Sequence, residues 1–438
     1  MLATTLLLLL WLTAGAAPGT ACTVPSPAYL TIQSAVDDNR CALINLDGAS
    51  FEENVLVGRS VTISGQGSNL TVVDGSRAGS VFTVDAPGAT VTLAEMTITE
   101  GSFDVGGGVR NQGATLTIVN SSIVGNIASQ WGGGIYNSQG TVAVANSRVS
   151  NNSANAGGGL YNADGFLAVQ ASTVSSNVAV SGGGIGNAND GGLLVSASLV
   201  RLNAASEQGG GISGGTGVVT ITTSTIADNN AREGGGLFSD ATALAVTVQG
   251  TTLHDNSAGD GAGIYNAFAT LALVNSTLSN NIASGRGGGI YNDQLATLTL
   301  ANAHVVGNGA NNGGGIYNGA AFTPANSIMA GNNGGDCGGG GNFASAGHNL
   351  DGDDSCHLTA PGDMPGSDPM LGPLQNNGGP TPTHALLPGS PAIDAGANAA
   401  CPDTDQRGYF RDAACDVGAY EFDVPPPLKA FLPVIARQ

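Results

Sequence analysis

Through the middle of the chain, aliphatic side chains fall in three fixed columns. Counted back from a recurring Asn (Asn126, Asn152, Asn177, Asn203, Asn229, Asn256, Asn281 and Asn308), they stand ten, eight and three residues earlier, as in Leu116, Ile118 and Ile123. The columns run on through Val142, Val144 and Val149, through Val219, Ile221 and Ile226, and through Val246, Val248 and Leu253 to Leu298, Leu300 and Val305. A spacing of two in Thr- and Val-rich runs is the strand period, and nothing here repeats at 3.6. Gly, Asn and Ser interrupt each unit where the chain must turn, so each unit predicts three short strands.

The units recur with a phrase of their own: a Gly triplet or Gly-Ala-Gly, an aliphatic residue, usually an aromatic, usually Asn. Nine copies begin at Gly106, Gly132, Gly157, Gly182, Gly209, Gly234, Gly261, Gly287 and Gly313, spaced by 25 to 27 residues. So regular a period predicts a solenoid. Coils stacked about 4.8 Å apart would place each strand beside its copy, giving three parallel sheets around small aliphatics. The predicted fold is all-β, a right-handed single-stranded parallel β-helix. Its Asn columns should form internal amide ladders, each side chain donating to one neighbouring coil and accepting from the other. Collagen is excluded, because the 70 glycines follow no three-residue period.

A solenoid exposes strand edges at its ends and needs covers there. Thr31 to Asp37, with a capping Thr and apolar residues at helical spacing, predicts a short amphipathic helix over the first coil. The expected organisation is a signal peptide (1–21), an N-terminal cap with the first coils (22–105) and regular repeats (106–335). A disulfide-stapled C-terminal cap (336–422) and a Pro-rich spacer with an apolar tail (423–438) complete it.

Charge and cysteine usage then set the compartment. With 12 Lys and Arg against 32 Asp and Glu, the net charge of −20 excludes nucleic acid as a partner and suits Ca²⁺ or a cationic surface better. An apolar run from Leu6 to Leu12, followed by small residues through Ala21, has the form of a secretory signal cleaved after Ala17 or Ala21. No later run approaches the roughly twenty apolar residues of a membrane span. The six cysteines cluster as Cys22 with Cys41, Cys337 with Cys356 and Cys401 with Cys415, which points to local staples near the two ends of an exported protein. An extracellular or cell-surface location is the expectation.

Three sets of residues carry candidate chemistry. Asp228 and Asp255 precede a closing Asn, while Glu233 and Asp260 precede a Gly triplet; the equal 27-residue steps predict that all four share one edge of the rod. They read either as solvated turn charges, the preferred reading, or as a Ca²⁺ or oligosaccharide site. Asn349, Asp351, Asp353 and Asp354 form a second oxygen-rich stretch, read as a structural turn because it lacks EF-hand spacing. Tyr136, Tyr161, Phe238, Tyr265, Tyr291 and Tyr317 each follow an inward aliphatic residue and should point outward. That column reads as a sheet-stabilising ladder or as a platform for sugar rings or a protein partner. Trp131 stands alone in a turn and adds little. No catalytic residues emerge.

The repeats, with Gly-Gly-Gly-Ile and Ile226-Ala227-Asp228-Asn229, resemble those of polymorphic outer-membrane proteins, with Ile, Val or Leu in place of the usual Phe. The opening coils around Val61-Thr62-Ile63-Ser64-Gly65 look like those of pectin-lyase-like proteins. The segment from Asp336 to Phe422, with Leu387-Pro388-Gly389-Ser390-Pro391-Ala392-Ile393-Asp394-Ala395-Gly396 and Asp416-Val417-Gly418-Ala419-Tyr420-Glu421, resembles the choice-of-anchor module of bacterial surface proteins. The resemblance implies an exported β-helix displayed at the cell surface. The expected function is a non-enzymatic adhesin or envelope structural protein, binding glycan or protein along its outer face. The alternative is a polysaccharide lyase or glycoside hydrolase acting on acidic glycans.

Overall fold

The structure is a computed structural model that describes residues 20–240 and 245–426. The apolar leader up to residue 19 and the tail from 427 lie outside the described residues. Within them the strands form three long sheets, every neighbouring pair parallel. The first runs from Thr20–Val24 to Asn342–Phe343 and has 14 strands. The second, also of 14, runs from Ser50–Glu52 to Met364–Pro365, and the third, of 12, from Val55–Val57 to Cys337–Gly338. The predicted columns stay in register: Leu116 pairs with Val142 and Ile118 with Val144 on the first sheet, and Ile123 with Val149 on the second. These side chains are buried to 0% exposure, so the core is a continuous stack of small aliphatics.

The Asn ladders form as expected. Asn126 Nδ2 donates to Asn152 Oδ1 at 3.1 Å, and the series continues coil by coil to Asn332. A second ladder links Asn111, Asn137, Asn162 and Asn187. An amide can serve this position because it donates and accepts at once, so within the stack, among the described residues, only the oxygen of Asn111, the first rung of the second ladder, is left without a donor. The Gly triplet meets two demands. Gly132 holds φ 64°, and a Cβ on Gly134 would stand 2.6 Å from the Gly159 carbonyl oxygen of the next coil.

A short fourth ladder departs from the three-strand expectation. It lies between the closing Asn and the Gly triplet, as in Val178–Ser181 beside Ala204–Gln208, with single bridges such as Glu233 to Asp260. Its inward residues are alanines (Ala128, Ala179, Ala205 and Ala283 are buried), too small to give a hydrophobic period in the sequence.

The N-terminal cover is α1 (Ile32–Asp37), whose Thr31 and Ser34 make a capping box. Glu53 accepts from the free backbone N–H groups of Ile32 and Gln33, and the Arg59 guanidinium donates to the carbonyls of Val36, Asp38 and Cys41. Both helix ends are thereby satisfied, and Ile32, Ala35 and Val36 close the first coil.

At the other end the arrangement differs from a simple cap. Residues 336–365 add short strands to the coils, but the chain beyond them turns back and lies along the outer face of the second sheet. Thr381 Oγ1 donates to Gly250 O at 3.1 Å, Asn275 Nδ2 to Thr404 O at 2.6 Å, and Gly418 N to Asn326 O at 2.8 Å. This C-terminal stretch is a lateral strap over several coils. Cys22–Cys41 and Cys337–Cys356 staple the two ends of the rod, whereas Cys401–Cys415 staples the strap itself.

The strap buries outward positions that would otherwise be solvated: Thr252, Thr277, Ser279 and His304 all reach 0% exposure. Neither ring nitrogen of His304 has a partner, and burial, then the nearby His384 and Arg411, hold its pKa well below the ordinary value. Burial also lowers His384. A histidine kept neutral in the docked state but free to protonate when exposed makes docking weaken as pH falls below about 6.5. Asp416, raised to about 6 by burial, and Glu421, raised by burial, act in the opposite sense, favouring docking as pH falls. His304→Leu should therefore reduce the acid-induced rise in strap hydrogen exchange between pH 7.5 and 5, by up to about 2 kcal/mol. An unchanged pH dependence would remove His304 from that role.

Candidate functional site

The aromatic column lies on the third sheet, in register through Arg110, Tyr136, Tyr161, Gly186, Ser213, Phe238, Tyr265, Tyr291 and Tyr317. The rings stack along the rod: Tyr136 on Tyr161 at 6.1 Å between centroids, then Phe238 on Tyr265, Tyr265 on Tyr291 and Tyr291 on Tyr317 at 5.3, 4.5 and 5.1 Å. They leave the sheet outward but are not free: Tyr136 is 9% and Tyr291 5% exposed. Most of each ring face is therefore spent on its neighbours. Burial raises the pKa of Tyr161, Tyr265 and Tyr291 above the ordinary phenol value.

Two partners come from the residue before the Gly triplet. Trp131, judged uninformative from the sequence, stacks on Tyr136 and Tyr161 at 6.2 and 5.8 Å. The Arg286 guanidinium lies over the rings of Tyr291 and Tyr317 at 4.8 and 5.1 Å and reaches Asp260 at 3.1 Å. Sequence periodicity alone did not reveal these contacts, because the turn folds that position back across the sheet.

The ladder breaks at Gly186 and Ser213. Three coil steps of about 4.8 Å separate Tyr161 from Phe238, where two rings would fit. Tyr161 leans into the gap, its Cδ2 only 2.8 Å from where a Cβ on Gly186 would sit. What remains is a cleft of about 340 Å³ lined by Tyr161, Gln208, Ser213, Thr216, Phe238 and Asp240, among others. Tyr161 borders it on one side and the edge of the buried Phe238 (3% exposed) on the other, and hydroxyl, amide and carboxylate groups line it together with Gly and Ala positions. Asp164 and Asp190 on the adjoining turns accept from Asn189 and Thr216, which gives the rim a negative sign.

The four carboxylates expected in two columns on one edge of the rod occupy two ladders: Asp228 and Asp255 in one turn column, and Glu233 bridged to Asp260 in the next. Asp228 and Asp255 hold φ 56° and 54°, in a turn column that elsewhere carries Gly125, Asn151, Ser176, Leu202, Asn280 and Gly307. The left-handed backbone there favours Gly, Asn or Asp, which six of the eight positions carry, although Ser176 and Leu202 adopt it too. Asp228 lies 3.8 Å from Arg201, Asp255 2.7 Å from His254, Glu233 3.0 Å from Arg232, and Asp260 pairs with Arg286. Each already has a basic neighbour. Among the described residues, the carboxylates that do converge are Asp336, Asp351 and Asp353. The sequence reading had placed the last two in a turn and had not linked them with Asp336. Of the rest of that stretch, Asp354 holds φ 62° and Asn349 spends its amide on Pro324 O and Gly347 O.

No protein-family model matches the chain, and no curated protein matches it. Among solved structures, a crystal structure of the pectate lyase Pel9A is similar, with 12% identity over 92% of this chain and 97% of that one and a TM-score of 0.43. The strand register itself defines the class as a parallel β-helix.

Proposed function

We propose that this protein is an exported, surface-associated β-helix that binds a neutral glycan in the gap of its aromatic ladder and acts as an adhesin or envelope component without catalysis. The observation that carries this reading is the two-rung interruption between Tyr161 and Phe238, bordered by those two aromatic side chains and lined by hydrogen-bonding groups. Sugar rings present flat C–H faces to aromatics and hydroxyls at their edges, which matches such a slot. A neutral glycan suits it better than an acidic one, because the rim carries Asp164, Asp190 and Asp240 on a chain of net charge −20. The apolar leader of the sequence and the three disulfides support export.

Calorimetry against neutral oligosaccharides tests the reading. Phe238→Ala should weaken binding at least about tenfold. Ser213→Tyr, which restores a ring to the ladder, should abolish binding while leaving thermal stability equal or higher. Binding that survives Ser213→Tyr would place the ligand elsewhere. Unsaturated products released from polygalacturonate would replace this reading with the lyase alternative.

A further inference from the structure

Three carboxylates meet at the last coils, away from the ladder gap. Asp336 precedes the strand Cys337–Gly338, Asp351 ends the strand Leu350–Asp351, and Asp353 sits in the turn two residues on. One oxygen from each lies within 4.8 Å of those of the other two. Asp336 and Asp351 are 1% and 0% exposed, whereas Asp353 opens to solvent. The Cys337–Cys356 disulfide fastens the two stretches that carry them.

Nearly every oxygen in the group has a donor. Asp336 Oδ1 accepts from N and Nδ2 of Asn332, and its Oδ2 from Gly352 N. Asp353 Oδ2 accepts from Asp336 N, and its Oδ1 from the N and Oγ of Ser355. Asp351 Oδ2 accepts from Cys356 N at 2.8 Å. Asp351 Oδ1 alone is buried with no hydrogen-bond partner. A buried carboxylate oxygen without a donor, beside two like charges, is costly unless something positive faces it. Among the described residues, none of the three carboxylates forms an ion pair. Burial, and then the charges of Asp336 and Asp353, push Asp351 up to about 7.

We propose that Asp336, Asp351 and Asp353 hold a divalent cation, Ca²⁺ by its ligand chemistry, which locks the end of the rod. Hard carboxylate oxygens suit Ca²⁺, which accepts irregular sets of carboxylates, carbonyls and water, whereas Mg²⁺ demands near-ideal octahedral geometry and gives up its waters reluctantly. The exposed Asp353 side gives the ion access and leaves room for water ligands. The position has a structural meaning as well. The amide ladder that begins at Asn126 ends at Asn332, which donates to Asp336, an acceptor that has no amide hydrogen to pass on. The cation binds the carboxylate that terminates the ladder to the turn closed by the disulfide.

Thermal melts of the full chain, stripped with chelator and supplied with CaCl₂ or MgCl₂, test this together with calorimetric titration of Ca²⁺. Millimolar Ca²⁺ should raise Tm by about 3 °C or more, and Mg²⁺ by much less. Asp353→Asn, exposed and compatible with folding, should weaken Ca²⁺ at least tenfold, and Asp351→Asn should abolish it. The rod variant Asp255→Asn with Asp260→Asn should keep the full shift. No heat and no Ca²⁺-dependent shift in the wild type would mean that a proton shared among the carboxylates fills the role and would overturn the proposal. A shift lost only in the rod variant would overturn it too, by placing the ion on the other acidic columns.

Discussion

Val248→Asp should yield no soluble, protease-resistant rod. Val248 is 0% exposed and in register between Ile221 and Leu273 on the first sheet. The substitution forfeits about 1.5 to 3 kcal/mol of apolar burial and adds an unpaired carboxylate to a stack with no basic side chain in it, which costs several kcal/mol more. Coils stabilise only their neighbours, so a defect there uncouples the two flanking halves of the solenoid. Ile221→Asp should behave alike. Thr247→Asp, one residue away on the outward side of the same strand, should stay within about 1 kcal/mol of wild type. Equal solubility and equal protease resistance of the two Asp variants would refute the inward assignment of the column.

The second large effect concerns the strap. Arg407→Ala should release it while leaving the rod folded. Arg407 pairs with Asp405 at 2.7 Å with both side chains buried, and its guanidinium donates to Glu421 O at 2.6 Å. It also lies over Tyr409 and Tyr420 at 4.1 and 3.6 Å from the ring centroids. Removing the guanidinium leaves the buried Asp405 charge held only by the backbone N–H groups of residues 407, 409 and 421, a loss of up to about 3–5 kcal/mol. The coils beneath keep their own ladders; the face uncovered carries Thr252, Thr277 and Ser279, which water can solvate, and toward its C-terminal end the apolar Ile328 and Leu350. Limited proteolysis should then trim the strap back toward residue 365 with little change in the strand signal of circular dichroism. Arg407→Lys, which keeps the charge but loses the planar stacking, should fall between. A protease pattern identical to wild type would show that the strap is held by something other than this pair.

The regular part of the rod was legible because its causes are local and repeated. An inward aliphatic must recur at spacing two, and a buried turn amide must recur once per coil, so columns such as Leu116, Ile118 and Asn126 appear in the sequence itself. The helix cap at Thr31 and the three Cys pairs were readable for the same reason, their partners lying within 19 residues. The candidate sites were less legible. The aromatic column was visible, but Gly186 and Ser213 simply failed to match it; that they open a cleft between Tyr161 and Phe238 follows from the register of whole coils. Asp228 and Asp255 read first as solvated turn charges and second as ligands, and the left-handed backbone at their turn, which favours Asp, shows only in the structure.

Taken alone, the sequence determined the periodicity, the coil, its core columns and its internal amide ladders, since each depends on contacts between a residue and its own copy one period away. The tertiary structure decided where the strap lies, because the Asn275–Thr404 bond spans 129 residues and the apolar cluster of Ile328 and Leu350 with Leu386 and Val417 joins segments that share no period. It also decided which acids converge. Asp336 meets Asp351 and Asp353 because the chain completes a coil between them, and the equal steps along the regular columns carried no trace of that meeting.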